Sequence, residues 1–253
     1  MAVMEFLKEN YLNTTTMVKV DSNTGTVLYL FDRNPNLTYA SVNYNSTTAT
    51  VISIELATNT VISNLLLQNH NFKQFRAFYN SLTANTFSPN INETTNSATS
   101  SYYLFTSVTV NSIQIQVDTT ITGSTDKQVG EVIVTERTLQ FERNPTADEW
   151  RPAIRRKQIV HEMPDGGVKV YHIRDKFRAK IGWDFITETF HNSLKTRFEA
   201  ALPMVFTPFP TNTSWNGQAP EVSWIGDFNF KHGDNAKTAG YSGDLELRET
   251  AGG

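Results

Sequence analysis

The chain has 253 residues, no Cys, 22 Lys and Arg against 25 Asp and Glu, and a formal net charge of −3. A chain of this length can bury roughly 70–75% of its unfolded surface without disulfide staples, and the missing thiols exclude disulfide frameworks and thiolate metal sites. A sequence pI near 6.0 argues against bulk attraction to nucleic acid, and no stretch approaches the ~20 apolar residues of a membrane-spanning helix.

Charge is unevenly spread. Residues 1–125 hold 12 of the 47 charged side chains and the remainder holds 35. Such a shift marks a domain boundary, so two domains are predicted, 1–137 with an N-terminal arm and 138–253. The opening segment MAVMEFLKENYLNTTT interrupts its apolar residues with Glu5, Lys8 and Glu9, so a secretory signal is not expected there.

In chain order, TVLYLF (26–31) reads as a strand. VISIEL (51–56) alternates Ile52, Ile54 and Leu56 against Val51, Ser53 and Glu55, the period of a half-buried strand. QFRAFYN (74–80) suits helix or strand by spacing and is read as a strand because its neighbours are strands. The polar run 80–101 shows no period and reads as a surface loop, and SIQIQV (112–117) alternates again. Together these predict an antiparallel β-sandwich or jelly roll.

The second half opens near TLQFERNPTADEW (138–150). IRRKQIVHEMPDGGVKVYHIRD (154–175) predicts a hairpin, since Gly supplies the positive φ that the Pro-Asp-Gly-Gly turn needs. KFRAKIGWDFIT (176–187) is expected as a third strand. Phe190, Leu194 and Phe198 then repeat at helical spacing over 187–202, with Thr187 or Thr189 as cap and Pro203 as stop. EVSWIGDFNF (221–230) and YSGDLELRE (241–249) read as closing strands, which makes the second domain an antiparallel sheet with one packed helix, α+β.

Several motifs in register now carry a resemblance. DRNPNLTYAS (32–41), TATVISIELATNTVISNLLLQNHNF (48–72) with its Asn-His-Asn corner, SSYYLFTSVTVNSIQIQVDTT (100–120) and KQVGEVIV (127–134) together resemble the discoidin, or factor 5/8 type C, family. That family implies a galactose-binding-like sandwich, with 48–72 as strand, short turn and second strand. Tyr39 stands where the family has Trp, Leu37 intrudes before the Thr, and the terminal Cys pair of secreted members is missing. The missing Cys is similar to intracellularly assembled relatives in bacteriophage virions. The second half resembles the sandwich-plus-helix units of tail-tube and baseplate proteins.

These resemblances imply a structural virion component, a tail, baseplate or head-surface subunit assembled in the host cytoplasm. Its partners would be other virion proteins, copies of itself and a host-surface glycan, with no specific nucleic acid. The alternative is a carbohydrate-binding, lectin-like adhesin module. An enzyme is not expected: HEMPD (161–165) lacks the second His of a zinc helix, and GYSGD (240–244) lacks the spacing of a nucleophile elbow. No cofactor or metal is expected either, since the acidic residues around the 32–41 loop are too sparse to indicate the calcium that family analogy allows.

Asp32, Asn34 and Tyr39 form a candidate glycan-contact loop, because a carboxylate and an amide can hydrogen-bond sugar hydroxyls and an aromatic face can stack on a pyranose. The same residues suit an Asx turn beside a rim-packed Tyr, and this structural reading is the preferred one. His70 reads as a ligand contact or as a corner residue hydrogen-bonded to a loop carbonyl. Lys176, Arg178 and Lys180 alternate on one strand beside Arg155 and Lys157, either as a solvated face or as a subunit contact. Trp183 is expected in the core, whereas Trp215, an aromatic anchor in the polar loop 208–220, is a candidate interface residue.

Overall fold

The computed structural model describes residues 3–14, 17–20, 26–41, 48–80, 85–123, 126–146, 148–164, 166–209, 219–233 and 240–250. The candidate interface residue Trp215 lies outside them. In chain order the strands are β1 (Glu5–Leu7), β2 (Val18–Val20), β3 (Tyr39–Ala40), β4 (Thr50–Gln68), β5 (Phe72–Tyr79), β6 (Asn92–Glu93), β7 (Ser101–Thr120), β8 (Gln128–Val129), β9 (Glu131–Thr135), β10 (Arg137–Gln140), β11 (Trp150–Glu162) and β12 (Val168–Ile186). Helix α1 (Glu188–Ala200) follows, then β13 (Met204–Thr207), β14 (Glu221–Gly233) and β15 (Gly240–Glu249). The fold is mainly β with antiparallel sheets, as the sequence pattern predicts. No helix among the described residues is long and apolar enough to cross a membrane.

The chain divides into two compact units, Met1–Gln140 with Val205–Ala219, and Phe141–Met204 with Pro220–Ala251. A division of the sequence at 137/138 leaves the return strand with the second unit. The pairing that draws it into the first, Phe6 opposite Phe206 and Leu7 opposite Val205, has no signal in composition.

In the first unit, a sheet runs in the order β2-β4-β7-β5-β6, with β9 sharing the β2 edge of β4. The core comes from alternation: Ile52 and Ile54 on β4 and Ile113, Ile115 and Val117 on β7 share a core with Phe72 and Phe75 of β5. Near its end β4 is buried on both faces. Leu65 and Leu67 enter that core while Leu66 enters a second one with Leu7, Tyr102, Ile133 and Val205. A continuous apolar run is what a strand covered on both sides requires. Asn10 ties the N-terminal arm to β9, its side chain donating to Val132 O and accepting from Val134 N–H at 2.9 Å each.

Four local expectations are corrected. Residues 26–31 hold a 3₁₀ turn, Val27–Leu30, closed by Tyr29 N–H to Thr26 O and Phe31 N–H to Leu28 O, so their backbone groups bond locally and not across a ladder. The 48–72 segment has no turn between its two strands. It is one strand whose register shifts between Glu55 and Thr60, absorbing the extra residues there as an irregularity. The 80–101 stretch buries Phe87 and Ile91 and contributes β6 against β5. Residues 176–187 continue β12 instead of starting a new strand, since nothing at Asp175–Lys176 supplies a turn.

The second unit is a sheet in the order β14-β15-β12-β11. The β11–β12 turn closes with Met163 N–H to Gly167 O at 2.7 Å, and Gly166 sits at φ +82°, which L residues rarely adopt. Pro152 is tolerated in β11 because that strand ends the sheet. Helix α1 starts at Thr187, whose hydroxyl oxygen accepts the Phe190 N–H, while the Glu142 carboxylate accepts both the backbone N–H and the hydroxyl of Thr187. It ends with Ala201 in the left-handed region just before Pro203. Its inner face buries Phe190 and Leu194; Phe190 meets Trp183 and Phe141 edge-on, and Trp183 is buried as expected, its indole N–H donating to Arg143 O.

Leu194→Asp places an unpaired carboxylate on this face. The expected cost is on the order of 4 kcal/mol, read as a drop in the melting temperature. An unchanged melting curve would mean the helix does not use this face for packing.

Candidate functional site

The loop that follows the 3₁₀ turn is built from its own side chains. Asp32 Oδ1 accepts the Asn34 N–H at 2.9 Å, Asn34 Oδ1 accepts the Asn36 N–H at 3.3 Å, and Leu37 N–H returns to Asn34 O at 2.9 Å. Asx residues close such turns because their short side chains imitate the backbone two residues on. Burial raises the Asp32 carboxyl above its ordinary value, opposed by the Asn34 N–H.

The Asn-His-Asn corner clamps this loop and two other segments. Asn69 donates to Pro35 O at 2.9 Å, and Asn71 donates to Asp126 O while accepting the Gln128 N–H. Beneath the loop, Gly130 leaves no space for a side chain: a Cβ there would stand 2.2 Å from Pro35 O.

His70 is 1% exposed, with Nδ1 accepting the Phe72 N–H at 3.1 Å and Nε2 2.9 Å from Ser101 Oγ. The backbone donor requires the Nε2–H tautomer, so the ring donates to Ser101 and both nitrogens are satisfied. Its neighbours are the Phe72 and Phe75 rings, and burial lowers its pKa to about 4. The corner reading of His70 therefore stands, with a hydroxyl and a backbone N–H as partners instead of a loop carbonyl.

Tyr39 is 2% exposed, opposite Val129 in the β3–β8 ladder, and belongs to the main core. It is corrected from a candidate contact to a packed side chain. Of the four predicted site residues, Tyr39 and His70 are buried, and Asp32 and Asn34 each accept a turn N–H through Oδ1. What the loop presents to solvent is Arg33, Asn36 and Leu37, the last 41% exposed. Arg33 adopts φ 61°, uncommon for a residue with a Cβ. An apolar Leu in a polar turn was the available signal; the strained Arg33 backbone had none.

In the second unit, Arg178 and Lys180 do share a strand face with Lys176, but both are paired within the chain, to Glu246 at 2.6 Å and to Asp244 at 2.9 Å. Arg155 lies on the neighbouring strand, directly opposite Lys176. Among the described residues no group of three or more His, Cys, Asp or Glu could hold a metal ion.

No family profile matches the chain, and no curated protein matches it. Among solved structures, it is similar to a V110M mutant of chitosan-binding module 1 derived from a chitosanase/glucanase of Paenibacillus sp. IK-5. The identity is 14% and the TM-score 0.42, covering 51% of this chain and 98% of that one. A domain named CpGH89CBM32-6, produced by Clostridium perfringens, is similar at 14% identity and TM-score 0.39, covering 51% and 99%. A pectin-binding carbohydrate-binding module is similar at 14% identity and TM-score 0.35, covering 46% and 87%. At such identities and TM-scores the likeness carries no statement of what this chain binds.

The His70 geometry makes a pH prediction. The folded pKa of about 4 lies below the unfolded value of 6.5, so the unfolded chain binds the proton first as pH falls. This contribution to stability is complete above pH 6.5 and is lost on descending toward pH 4, with a total on the order of 3 kcal/mol. Comparing urea midpoints of the wild type and His70→Gln between pH 7.5 and 4 isolates it. Parallel pH profiles for the two proteins would remove His70 as the titrating group.

Proposed function

We propose that the protein is a non-catalytic glycan-binding protein, and that the 31–38 loop of its first unit is the contact. The supporting observation is a division of labour within the loop. Asp32, Asn34 and Asn69 fix its backbone, Gly130 lets it seat closely, and Arg33, Asn36 and Leu37 remain turned to solvent. A rigid loop that displays a guanidinium, an amide and an apolar side chain suits a sugar, which offers hydroxyls to donors and acceptors and C–H faces to apolar groups. Fixing the backbone beforehand reduces the ordering entropy lost on binding.

A second reading is a bacteriophage virion subunit, and the β11–β12 hairpin favours it. From Phe177 toward the turn β12 has β11 as its sole ladder partner among the described residues, and this arm exposes Ile154 at 72% and Val168 at 62%. Two strands with exposed apolar side chains gain stability from a further partner. Trp215 and Lys176 remain candidate interface residues under this reading.

Both readings are tested on one preparation. Screened on a glycan array, the wild type should bind a defined set of sugars, and the double variant Arg33→Ala/Leu37→Ala should lose them at an unchanged melting temperature. Tyr39→Ala should lower the melting temperature instead, at a cost of about 3–5 kcal/mol for an emptied core site. Undiminished binding by the loop variant would move the contact elsewhere. A wild type that binds no glycan and sediments as a ring or filament would replace the first reading with the second.

A further inference from the structure

The second unit carries a charge concentration that neither the loop nor the fold accounts for. Residues 150–180 hold nine Lys and Arg against three Asp and Glu, a net +6 within a chain of net −3. Four of these basic residues, Arg155, Arg156, Lys176 and Arg178, converge with Arg248 and Phe177 to line a cleft of about 360 Å³ along β11, β12 and β15.

The register makes this arrangement costly. Arg155 stands directly opposite Lys176 across the β11–β12 ladder, and Arg178 directly opposite Arg248 across the β12–β15 ladder. Like charges on directly opposed residues destabilise a sheet. Internal acids answer part of it: Arg156 pairs with Asp175 at 3.2 Å and Arg178 with Glu246 at 2.6 Å, while Glu249 accepts the Phe177 N–H. Arg155 and Arg248 have no hydrogen-bond or ion-pair partner for their side chains among the described residues, and both are exposed.

We propose that this cleft binds an acidic polysaccharide, a saccharide chain carrying repeated carboxylate or sulfate groups. Four of the five cations are Arg, whose planar forks match such oxyanions bidentately. Side chains at 176 and 178 repeat at about 6.7 Å along β12, twice the strand rise, which sets these cations in a row along the cleft. Nucleic acid fits less well. The lining offers the half-buried Phe177 as its aromatic ring, where single strands are held on exposed stacking platforms. The site lies wholly in the second unit and does not depend on the 31–38 loop.

The test uses the full chain with heparin, as the sulfated probe, polygalacturonate, as the carboxylate probe, neutral dextran and single-stranded DNA, titrated calorimetrically at several salt concentrations. Heparin or polygalacturonate should bind, the better of the two identifying the oxyanion, and dextran should not. Arg155→Ala/Arg248→Ala should weaken that binding by roughly tenfold or more and reduce its salt slope by roughly 1.5, at an unchanged melting temperature. Lys195→Ala on the exposed side of α1 should bind as the wild type does. No binding of either acidic chain, equal binding of dextran, or full binding by the double Arg variant would each overturn the proposal. Tighter binding of DNA would assign the cleft to nucleic acid, and loss of self-association by the double variant in place of polysaccharide binding would assign it to a second copy of the chain.

Discussion

The antiparallel pairing of β4 with β7 is the constraint on which the first unit depends. It runs from Thr50 opposite Val117 to Leu67 opposite Ser101, and every other strand of that sheet attaches directly or indirectly to one of these two. Its period of two decides which side chains enter which core. Because β4 is covered on both faces near Leu65–Leu67, its polar residue there must be satisfied internally. Asn64 donates to the Tyr102 hydroxyl at 2.8 Å, and Tyr102 in turn donates to Glu5 at 2.5 Å. Arg137 closes the chain, its guanidinium 3.4 Å from Glu5 and its backbone N–H on Ser63 Oγ. Burial raises the Glu5 carboxyl, against which Tyr102 and Arg137 work. A buried network of this kind is favourable only when every member is paired.

The same pairing fixes the corner that holds the candidate loop. Gln68 ends β4 and Phe72 begins β5, so Asn69, His70 and Asn71 are forced into a tight reversal with Asn69 at φ 49°. Each side chain then reaches a different segment. Asn69 takes the Pro35 carbonyl, His70 the start of β7, and Asn71 the strand end at Asp126–Gln128. The polar residues that look most like ligand contacts in the sequence are those the scaffold consumes.

The second unit solves its packing differently. One face of its sheet is covered by α1 and an aromatic cluster around Trp183, and the stacked His191–Tyr241 pair at 3.8 Å joins helix to strand. Among the described residues the β11–β12 hairpin extends past the β15 ladder, and its two strands carry exposed apolar and basic side chains there. Charged residues on an edge also oppose unwanted strand pairing. That role does not explain cations opposed to cations in the ladder.

The sequence by itself determined the mainly β class, the alternating core positions, the hairpin at Gly166 and the capped helix, because each rests on local chemistry: a period, a positive φ, a cap hydroxyl. The Asp32 and Asn34 turns were legible for the same reason. Only the tertiary structure decided that Tyr39 and His70 are buried, since burial depends on what packs against a residue, here β8 and β7. It also decided that Val27–Leu30 coils into a 3₁₀ turn, where apolar spacing alone suits a strand, and that Val205–Thr207 returns to β1. The meeting of Arg178 with Arg248, seventy positions apart, follows from strand register, which is set by the whole sheet and by no local pattern.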